Sequence, residues 1–316
     1  YNEIGRDPAH GLSVSVAELV SGVLELSASG RSVRVWRQYT PLDSSMGMRV
    51  ALDKPLVHQL LSEQGIRVPR HCNFDVSDIK PAIDFLKSVN GPLVVKPAHD
   101  TGAGAGITTG VYSPLQLVRA VFYAGRNGTR ILIEEEVPGT MFRALLLDGE
   151  VLDVYEKHAP SVSGDGSSTV IELIEEENAI RIRSQGQIGI QTLTPTLDSV
   201  FTLSREGLSL RSVPEAGELV RVKTVVNQSG PDDCFTYRGE LSREILRDAV
   251  RAAEVVGLRL AGVDFVTTDP TQPFSETGGA VLEVNGSPGL SHHYHVADRA
   301  GATRVAIPVL ERALFE

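Results

Sequence analysis

Residues 282–295 read LEVNGSPGLSHHYH, and this stretch carries the most informative pattern in the chain. An apolar run ends at Glu283, Asn285 follows two positions later, and a Gly-Ser-Pro-Gly turn occupies residues 286–289. Successive side chains of a strand point to opposite faces, so Glu283 and Asn285 lie on one face. A strand that simply ends in solvent can have the same composition, because polar residues and Gly/Pro turns are common at strand ends. The other motifs of the chain decide between a solvated strand end and a functional pair of side chains.

Length and composition limit the class of protein. The chain has 316 residues, 41% of them hydrophobic and 22% charged, which fits a soluble globular protein with about two domains or subdomains. Its net charge of −10 argues against nucleic acid or an anionic membrane as a partner. No apolar run approaches the ~18 residues that a membrane helix needs. The two cysteines, Cys72 and Cys234, form no CxxC pair. A disulfide framework or a structural zinc site is therefore not expected, and a cytoplasmic location is expected.

Hydrophobic periodicity predicts a mixture of helices and strands. One helix begins at Asp53, because aspartate caps helix starts, and ends at Gly65. Asp148 and Gly149 form the turn of a predicted hairpin. Strands and helices do not alternate strictly, which favours an α+β fold. Further helices are predicted at residues 12–28, 78–89, 115–125 and 243–256, and strands at residues 32–39, 71–74, 93–96, 107–111, 130–134, 142–147, 151–157, 261–267 and 280–285.

The first chemical motif is a lysine followed by a glycine-rich loop. Residues 94–97 read VVKP, and residues 99–107 read HDTGAGAGI. Glycines let backbone N–H groups approach phosphate oxygens, and Lys96 would add a positive charge. A strand follows the loop, so the motif is neither a Walker A loop nor a Rossmann fingerprint, and it suggests a flap over nucleotide phosphates. A hairpin loop beside an exposed lysine is the alternative.

The second motif, ILIEEEVPG at residues 131–139, runs from an apolar strand into three acidic residues and a turn. It fits two interpretations. One is a solvated strand end, and the other is a hinge whose backbone binds an adenine edge.

The third motif, AGVDF at residues 261–265, places Asp264 inside an apolar strand. Magnesium prefers hard oxygen ligands, usually one or two carboxylates together with substrate phosphates. Asp264, Glu283 and Asn285 on two adjacent strands therefore predict a magnesium site. The turn at residues 287–289 adds backbone donors for a substrate oxyanion.

The order of these motifs resembles that of the ATP-grasp superfamily of carboxylate–amine ligases. Asp53-Lys54, VVKP with its glycine loop, EEEVPG, AGVD and EVNGSPG occur in family order within residues 44–316. Within that superfamily, the chain resembles the ATP-grasp module of cyanophycin synthetases. GDGSSTVIELIEEEN (164–178), REGLSLRSVPEAGELVRVK (205–223) and the ending EVNGSPGL…ALFE carry this narrower resemblance.

The resemblance implies a fold and a set of site residues. The fold is α+β, with two subdomains that enclose ATP: a lid at about residues 70–136 and a catalytic subdomain at about 137–316, after a flanking segment at residues 1–43. Nucleotide-binding residues would be Lys54 and Lys96 at the phosphates, Thr101, Gly102, Gly104 and Gly106 over the triphosphate, and Glu134 with the backbones of Glu135 and Val137 at the adenine. Asp264, Glu283 and Asn285 would hold two Mg²⁺ ions, which Mn²⁺ could replace. Arg143, Lys223 and Asn227 would face the transferred phosphoryl group, and Ser287 and Gly289 would line the acceptor site.

The implied activity is an ATP-dependent ligase that joins an amino-acid or peptide carboxylate to an amine through an acyl phosphate and releases ADP and phosphate. Nucleic acid and membrane are not expected partners, and a homo-oligomer is left open. The sequence ends at Glu316 without the Mur-ligase-like domain of a cyanophycin synthetase, so a stand-alone ligase for a small molecule or dipeptide is expected rather than polymer synthesis. His292, His293 and His295 are expected to line the acceptor site or lie in a loop, with a metal-binding tract as the weaker interpretation.

Three departures from the family pattern keep two alternatives open. Ala103 and Ala105 stand where a cyanophycin synthetase has a histidine and an arginine in the glycine loop. Met141 stands where many ATP-grasp enzymes have a ribose-binding acid, and residues 229–233 read SGPDD in place of Ser-Thr-Gly-Gly. The alternatives are an ATP-grasp kinase that stops at phosphorylation and a degenerate nucleotide-binding module.

Overall fold

The computed structural model describes residues 14–99, 101, 104–183, 191–228 and 230–315. Within these ranges, helices and strands are mixed along the chain and the strands form four sheets. The helices are α1 (Ser45–Ala51), α2 (Lys54–Glu63), α3 (Lys80–Ser88), α4 (Pro114–Gly125), α5 (Val170–Arg183), α6 (Leu197–Arg205), α7 (Arg243–Val256), α8 (Phe274–Thr277) and α9 (Ala306–Phe315). The strands are β1 (Ser15–Glu18), β2 (Val23–Ala28), β3 (Arg31–Trp36), β4 (His71–Asp75), β5 (Leu93–Pro97), β6 (Thr108–Val111), β7 (Arg130–Glu135), β8 (Thr140–Leu147), β9 (Glu150–Lys157), β10 (Ser161–Ser163), β11 (Leu219–Arg221), β12 (Cys234–Thr236), β13 (Leu260–Thr267) and β14 (Ala280–Gly286).

The central sheet has five antiparallel strands in the order β12-β9-β8-β13-β14. On one face, residues such as Phe142 and Phe265 form a core with α2 and α7. On the other face, Leu145 and Leu260 pack against α9. Arg143 lies on this second face, two residues before Leu145 on β8, and its register partner is Asp264. The second face is therefore apolar at one end and charged at the other.

Local signals in the sequence explain how these elements begin and turn. The Asp53 carboxylate accepts a hydrogen bond from Leu56 N (3.1 Å), which caps α2 as expected. Asp148 and Gly149 have φ values of +50° and +80°, the left-handed conformation that a two-residue hairpin turn requires between β8 and β9. The Lys54 amide also donates to the Ala98 carbonyl (3.1 Å), which places the start of α2 beside the end of β5.

The second sheet has four strands in the order β4-β7-β5-β6. Helices α3 and α4 cover it, and Leu93, Ile131 and Ile133 of the sheet pack with Leu117 and Val121 of α4. A reciprocal capping box between Ser113 and Gln116 fixes the start of α4. The glycine-rich loop joins β5 to β6 at one end of this sheet.

Two smaller units complete the described part of the chain. Strands β10 and β11 pair and share a core with α5 and α6, and α6 lies against β6 of the second sheet. Strands β1–β3 form a three-stranded sheet whose Leu26 packs with Leu310 and Leu314 of α9.

The helix predicted for residues 12–28 is wrong in the described part of that range. Strands β1 and β2 lie there instead, separated by Gly22 at a φ of +73°, which ends any helix. The segment alternates valine or leucine with serine or glutamate, and β-branched valine fits strands better than helices. Among the described residues, no helix is both long and apolar enough to span a membrane.

Candidate active site

A row of polar side chains crosses the charged end of the central sheet. Tyr155, Arg143, Asp264 and Glu283 are register partners on four successive strands, β9, β8, β13 and β14. Asn285 pairs with Gly262 two residues away, so Glu283 and Asn285 share a face as expected. The antiparallel pairing of β13 with β14 therefore brings together the two sequence motifs that were predicted to meet.

Asp264 is the most engaged carboxylate of this row. It is 2% exposed, and each of its oxygens accepts a 2.5 Å hydrogen bond from Arg143 Nε or Nη2. Asn285 Nδ2 donates a 3.3 Å bond to Asp264 Oδ2 and a 3.2 Å bond to the Gly262 carbonyl. Burial alone would lower the pKa of Arg143, but Asp264 raises it well above its usual range. Arg143 and a divalent cation would compete for the same carboxylate oxygens.

Lys54 joins this row to the glycine-rich loop. Its side chain is buried, and its Nζ lies 3.5 Å from Glu283 Oε1. The same Nζ donates to the Thr101 carbonyl oxygen at 3.3 Å. A cation at the start of α2 is thus shared between the edge strand β14 and the loop.

Lys96 and Glu134 form a buried ion pair on the second sheet. Lys96 Nζ lies 2.7 Å from Glu134 Oε1, and the two side chains are 7% and 4% exposed. The other carboxylate oxygen, Glu134 Oε2, is buried and has no hydrogen-bond partner within the described residues. Buried polar atoms are almost always satisfied in proteins, so this oxygen is free to accept a ligand donor such as an adenine amine.

Glu135 and Val137, the other residues predicted to contact the adenine, follow Glu134 along the chain. Glu135 N donates to the Arg70 carbonyl (2.9 Å), and its carboxylate accepts from Arg70 N (3.1 Å). The backbone amide of Glu135 is therefore not available to a nucleotide. Val137 lies just after β7 and is half-buried. The predicted adenine contact at Val137 depends on its backbone alone.

The described part of the glycine-rich loop packs closely on its surroundings. Gly104 has a φ of +69°, and a Cβ there would lie 2.6 Å from Asn227 Oδ1. Gly106 has a φ of +76°, and a Cβ there would meet Pro97 and Asn127. Both positions need glycine for conformation and for space. Gly102, the remaining predicted loop glycine, lies outside the described residues.

Lys223 and Asn227 follow β11, and the Asn227 side chain lies close to Gly104 of the glycine-rich loop. Lys223 is 3% exposed, and its Nζ donates to Gln228 Oε1 (3.1 Å). Burial lowers the pKa of Lys223, and Asp198 partly opposes this effect. Asp198 is fully buried and accepts four hydrogen bonds, from Thr109 N and Oγ1 and from the amides of Thr224 and Val225. This carboxylate fixes the Lys223 segment to β6, which directly follows the loop.

Ser287 and Gly289 lie in the turn after β14. Ser287 has a φ of +50°, which is uncommon for a non-glycine residue and occurs often at functional sites. Its hydroxyl donates to Met48 Sδ (3.6 Å). Gly289 precedes a short 3₁₀ turn at Leu290–His293, and a Cβ at Gly289 would lie 3.4 Å from the His292 ring.

The residues present fit both ATP and magnesium. Two buried lysines, an unsatisfied buried carboxylate oxygen and a close-packed glycine loop suit a nucleotide polyphosphate. Asp264, Glu283 and Asn285 supply two carboxylates and an amide, a set that suits Mg²⁺ when phosphate oxygens complete it. No group of three or more His, Cys, Asp or Glu able to hold a metal occurs among the described residues. In the histidine tract, His293 has a structural contact: it is buried, and its Nδ1 lies 2.6 Å from Asp153 Oδ2.

Three buried residues near this site belong to no sequence motif. Lys157 and Tyr155 lie on β9, where Tyr155 is the register partner of Arg143. His58 is 1% exposed, and its Nε2 lies 3.1 Å from the Leu282 carbonyl oxygen. Burial lowers the pKa of His58 to about 4. The strand register reveals Lys157 and Tyr155, and the contact with Leu282 reveals His58.

Solved structures share the fold of this chain. A bifunctional glutathione synthetase from Pasteurella multocida matches 95% of this chain and 42% of its own with a TM-score of 0.58 and 21% identity. A D-alanine–D-alanine ligase from Bacillus anthracis matches 86% of this chain and 70% of its own with a TM-score of 0.54 and 15% identity. No protein-family model matches the chain.

The mixed sheets and these matches show that the chain has the ATP-grasp fold. This confirms the expected α+β ATP-grasp fold. In sequence, the chain is similar to the cyanophycin synthetase of Trichormus variabilis, with 32% identity over 297 residues. The match covers 93% of this chain and 32% of that enzyme, so the chain spans about a third of the length of the curated relatives it matches.

Proposed function

We propose that the protein is an ATP-dependent ligase that joins the carboxylate of an amino acid or peptide to an amine. The observation that carries the proposal is the charged row of the central sheet. It sets Asp264, Glu283 and Asn285 beside Arg143 and Lys54, and Lys54 reaches Thr101 of the glycine-rich loop. Sequence similarity to cyanophycin synthetase over 93% of this chain supports the same activity.

The reaction has two balanced steps. A carboxylate oxygen of the first substrate attacks the γ-phosphorus of ATP, which forms an acyl phosphate and releases ADP. The amine then attacks the acyl carbon, phosphate leaves, and the amine loses a proton as the amide forms. Positioning and charge stabilisation provide most of the catalysis in such phosphoryl transfers, because little covalent chemistry is left to the protein.

Each site residue has a stated task in this proposal. Lys54 and Lys96 hold phosphate oxygens, and Glu134 accepts from the adenine through its free Oε2. Arg143, Lys223 and Asn227 stabilise charge on the transferred phosphoryl group. Ser287 and Gly289 line the amine acceptor. Asp264, Glu283 and Asn285 would hold Mg²⁺, which neutralises phosphate charge when bound.

Domain division and location are part of the proposal. We assign residues 70–136 to a lid, residues 137–316 to the catalytic subdomain and residues 1–43 to a flanking segment. The free thiols of Cys72 and Cys234 support a reducing, cytoplasmic location.

An ADP-release screen of amino-acid and dipeptide pairs with Mg-ATP tests the proposal. Mass spectrometry should find a product equal to both substrates minus water, and ADP release should need both substrates. A kinase would release ADP with one substrate alone and yield a stable phosphorylated product. Wild-type protein that binds ATP but releases no ADP with any pair would refute the ligase assignment.

A further inference from the structure

Lys157 is a buried cation without a protein partner. It lies at the end of β9, two residues from Tyr155, so both side chains share the face that carries Arg143. Lys157 is 7% exposed. Within the described residues, neither an ion pair nor a hydrogen bond engages its ammonium group. Lysines are almost never this buried unless they are paired, so the missing partner points to a ligand.

The carboxylates that could neutralise Lys157 are already engaged. Asp264 is held by both nitrogens of Arg143. Asp153 accepts from Thr303 Oγ1 at 2.7 Å and lies 2.6 Å from His293 Nδ1. Burial, then the charges of Lys157 and Arg143, lower the pKa of His292 well below its usual value. Neither Asp264 nor Asp153 is therefore left to pair with Lys157.

Two further polar atoms beside Lys157 are also unsatisfied. The Tyr155 hydroxyl and the Thr236 Oγ1 are buried, and each lacks a hydrogen-bond partner of normal geometry within the described residues. Tyr155 and Thr236 are register partners on β9 and β12, so their side chains lie on one face. We call Lys157, Tyr155 and Thr236 the anion pocket. One ammonium and two hydroxyls on one face of the neighbouring strands β9 and β12 match the oxygens of a carboxylate.

The anion pocket lies beside the proposed reaction centre rather than at the nucleotide. Tyr155 is the register partner of Arg143. The His292 ring lies near Tyr155, with ring centroids 6.4 Å apart, and next to Gly289 of the acceptor turn. The lysines assigned to phosphates, Lys54 and Lys96, lie on α2 and on the second sheet.

We propose that the anion pocket binds a substrate carboxylate that is not activated by ATP and remains free in the product. The inference rests on the proposed ligase function and narrows its substrates. At least one of them carries a carboxylate in addition to the group that reacts, as an amino acid does when it serves as the amine or reacts through its side chain.

Lys157→Met tests the pocket, with Lys87→Met as the matched control because Lys87 is exposed on α3. The first measurement, thermal melting without ligand, does not depend on activity. Removal of an unpaired buried charge should raise the melting temperature of Lys157→Met, whereas Lys87→Met should melt like wild type. A lower melting temperature for Lys157→Met would show a structural partner and overturn the proposal.

The second measurement compares free-acid and carboxamide substrates. For each pair that releases ADP, the unreacted carboxylate is replaced by a carboxamide. Wild type and Lys87→Met should prefer the free acid through KM by roughly 10- to 150-fold, the value of one lost charge-assisted contact. Lys157→Met should lose that preference, and Lys157→Arg should keep most of it.

Failure of the anion pocket and failure of the ligase function give different results. A preference that persists in Lys157→Met overturns the pocket and leaves the ligase function standing. Absence of ADP release by wild type with every pair refutes the function and with it the substrate assignment, whereas a lowered melting temperature of Lys157→Met overturns the pocket in either case.

Discussion

Replacement of Lys96 by methionine should have two separable effects, one on stability and one on ATP binding. Lys96 and Glu134 are 2.7 Å apart and nearly fully buried. Loss of one partner leaves the other charge buried, which typically costs about 3–5 kcal/mol. At about 2 °C per kcal/mol for a chain of this size, the melting temperature of Lys96→Met should fall by roughly 6–10 °C.

The double variant Lys96→Met/Glu134→Met separates stability from function. Replacement of a buried ion pair by apolar side chains of similar volume is often neutral, so this protein should melt near the wild-type temperature. Its ATP affinity should remain low, because the phosphate contact and the adenine acceptor are both missing. Loss of the Lys96 charge alone, at about 1.5–3 kcal/mol, predicts a roughly 10- to 150-fold weaker Kd.

Thermal melting and isothermal titration with Mg-ATP measure the two effects on the same samples. Lys80→Met is the control, because it removes the exposed pair with Asp84 and should change neither quantity. Wild-type affinity in the double variant would refute the assignment of Lys96 and Glu134 to the nucleotide. Wild-type melting of Lys96→Met would refute the stability argument.

Three further predictions concern the metal, the loop and a buried histidine. Glu283→Gln should abolish magnesium-dependent ADP release but melt near wild type, because its carboxylate is partly exposed and 3.5 Å from Lys54; unchanged magnesium dependence would count against a metal role. Gly104→Val should lower kcat more than adenosine affinity, since a side chain at a φ of +69° is strained and would displace Asn227; equal losses in kinetics and calorimetry would contradict this. The pKa of His58 is about 4 when folded and about 6.5 when unfolded, so stability is full above pH 6.5 and falls as pH drops toward 4. Between pH 6.5 and 4, the free energy of unfolding measured in urea should fall by about 3 kcal/mol more for wild type than for His58→Gln. The control His158→Gln should follow wild type. Parallel pH curves for wild type and His58→Gln would disprove the assignment.

Elements defined by local chemistry were predictable from the sequence. The cap at Asp53, the capping box at Ser113 and the left-handed turn at Asp148 each depend on residues within a few positions. The segment at residues 12–28 failed for the opposite reason. Its strands are stabilised by pairing with each other and by packing on α9, nearly 300 residues away in sequence.

The composition of the candidate site was predictable, but its internal pairing was not. Asp264 and Glu283 were expected on adjacent strands, and the register places them opposite each other. The bidentate contact of Arg143 with Asp264 depends on β8 lying next to β13, which no motif encodes. Lys157 belongs to no motif either. Its significance is that no described side chain on the neighbouring strands β8 and β12 pairs with its charge.

The four hydrogen bonds of Asp198 have a consequence for how the lid would move. They join β6 to residues 224 and 225 through one buried carboxylate, so the glycine loop and the Lys223 turn share a single mechanical anchor. Opening either one alone would leave a buried charge with lost donors. The amide protons of Thr109, Thr224 and Val225 should therefore exchange with solvent as one cooperative group, at a rate set by the whole unit rather than by each strand end.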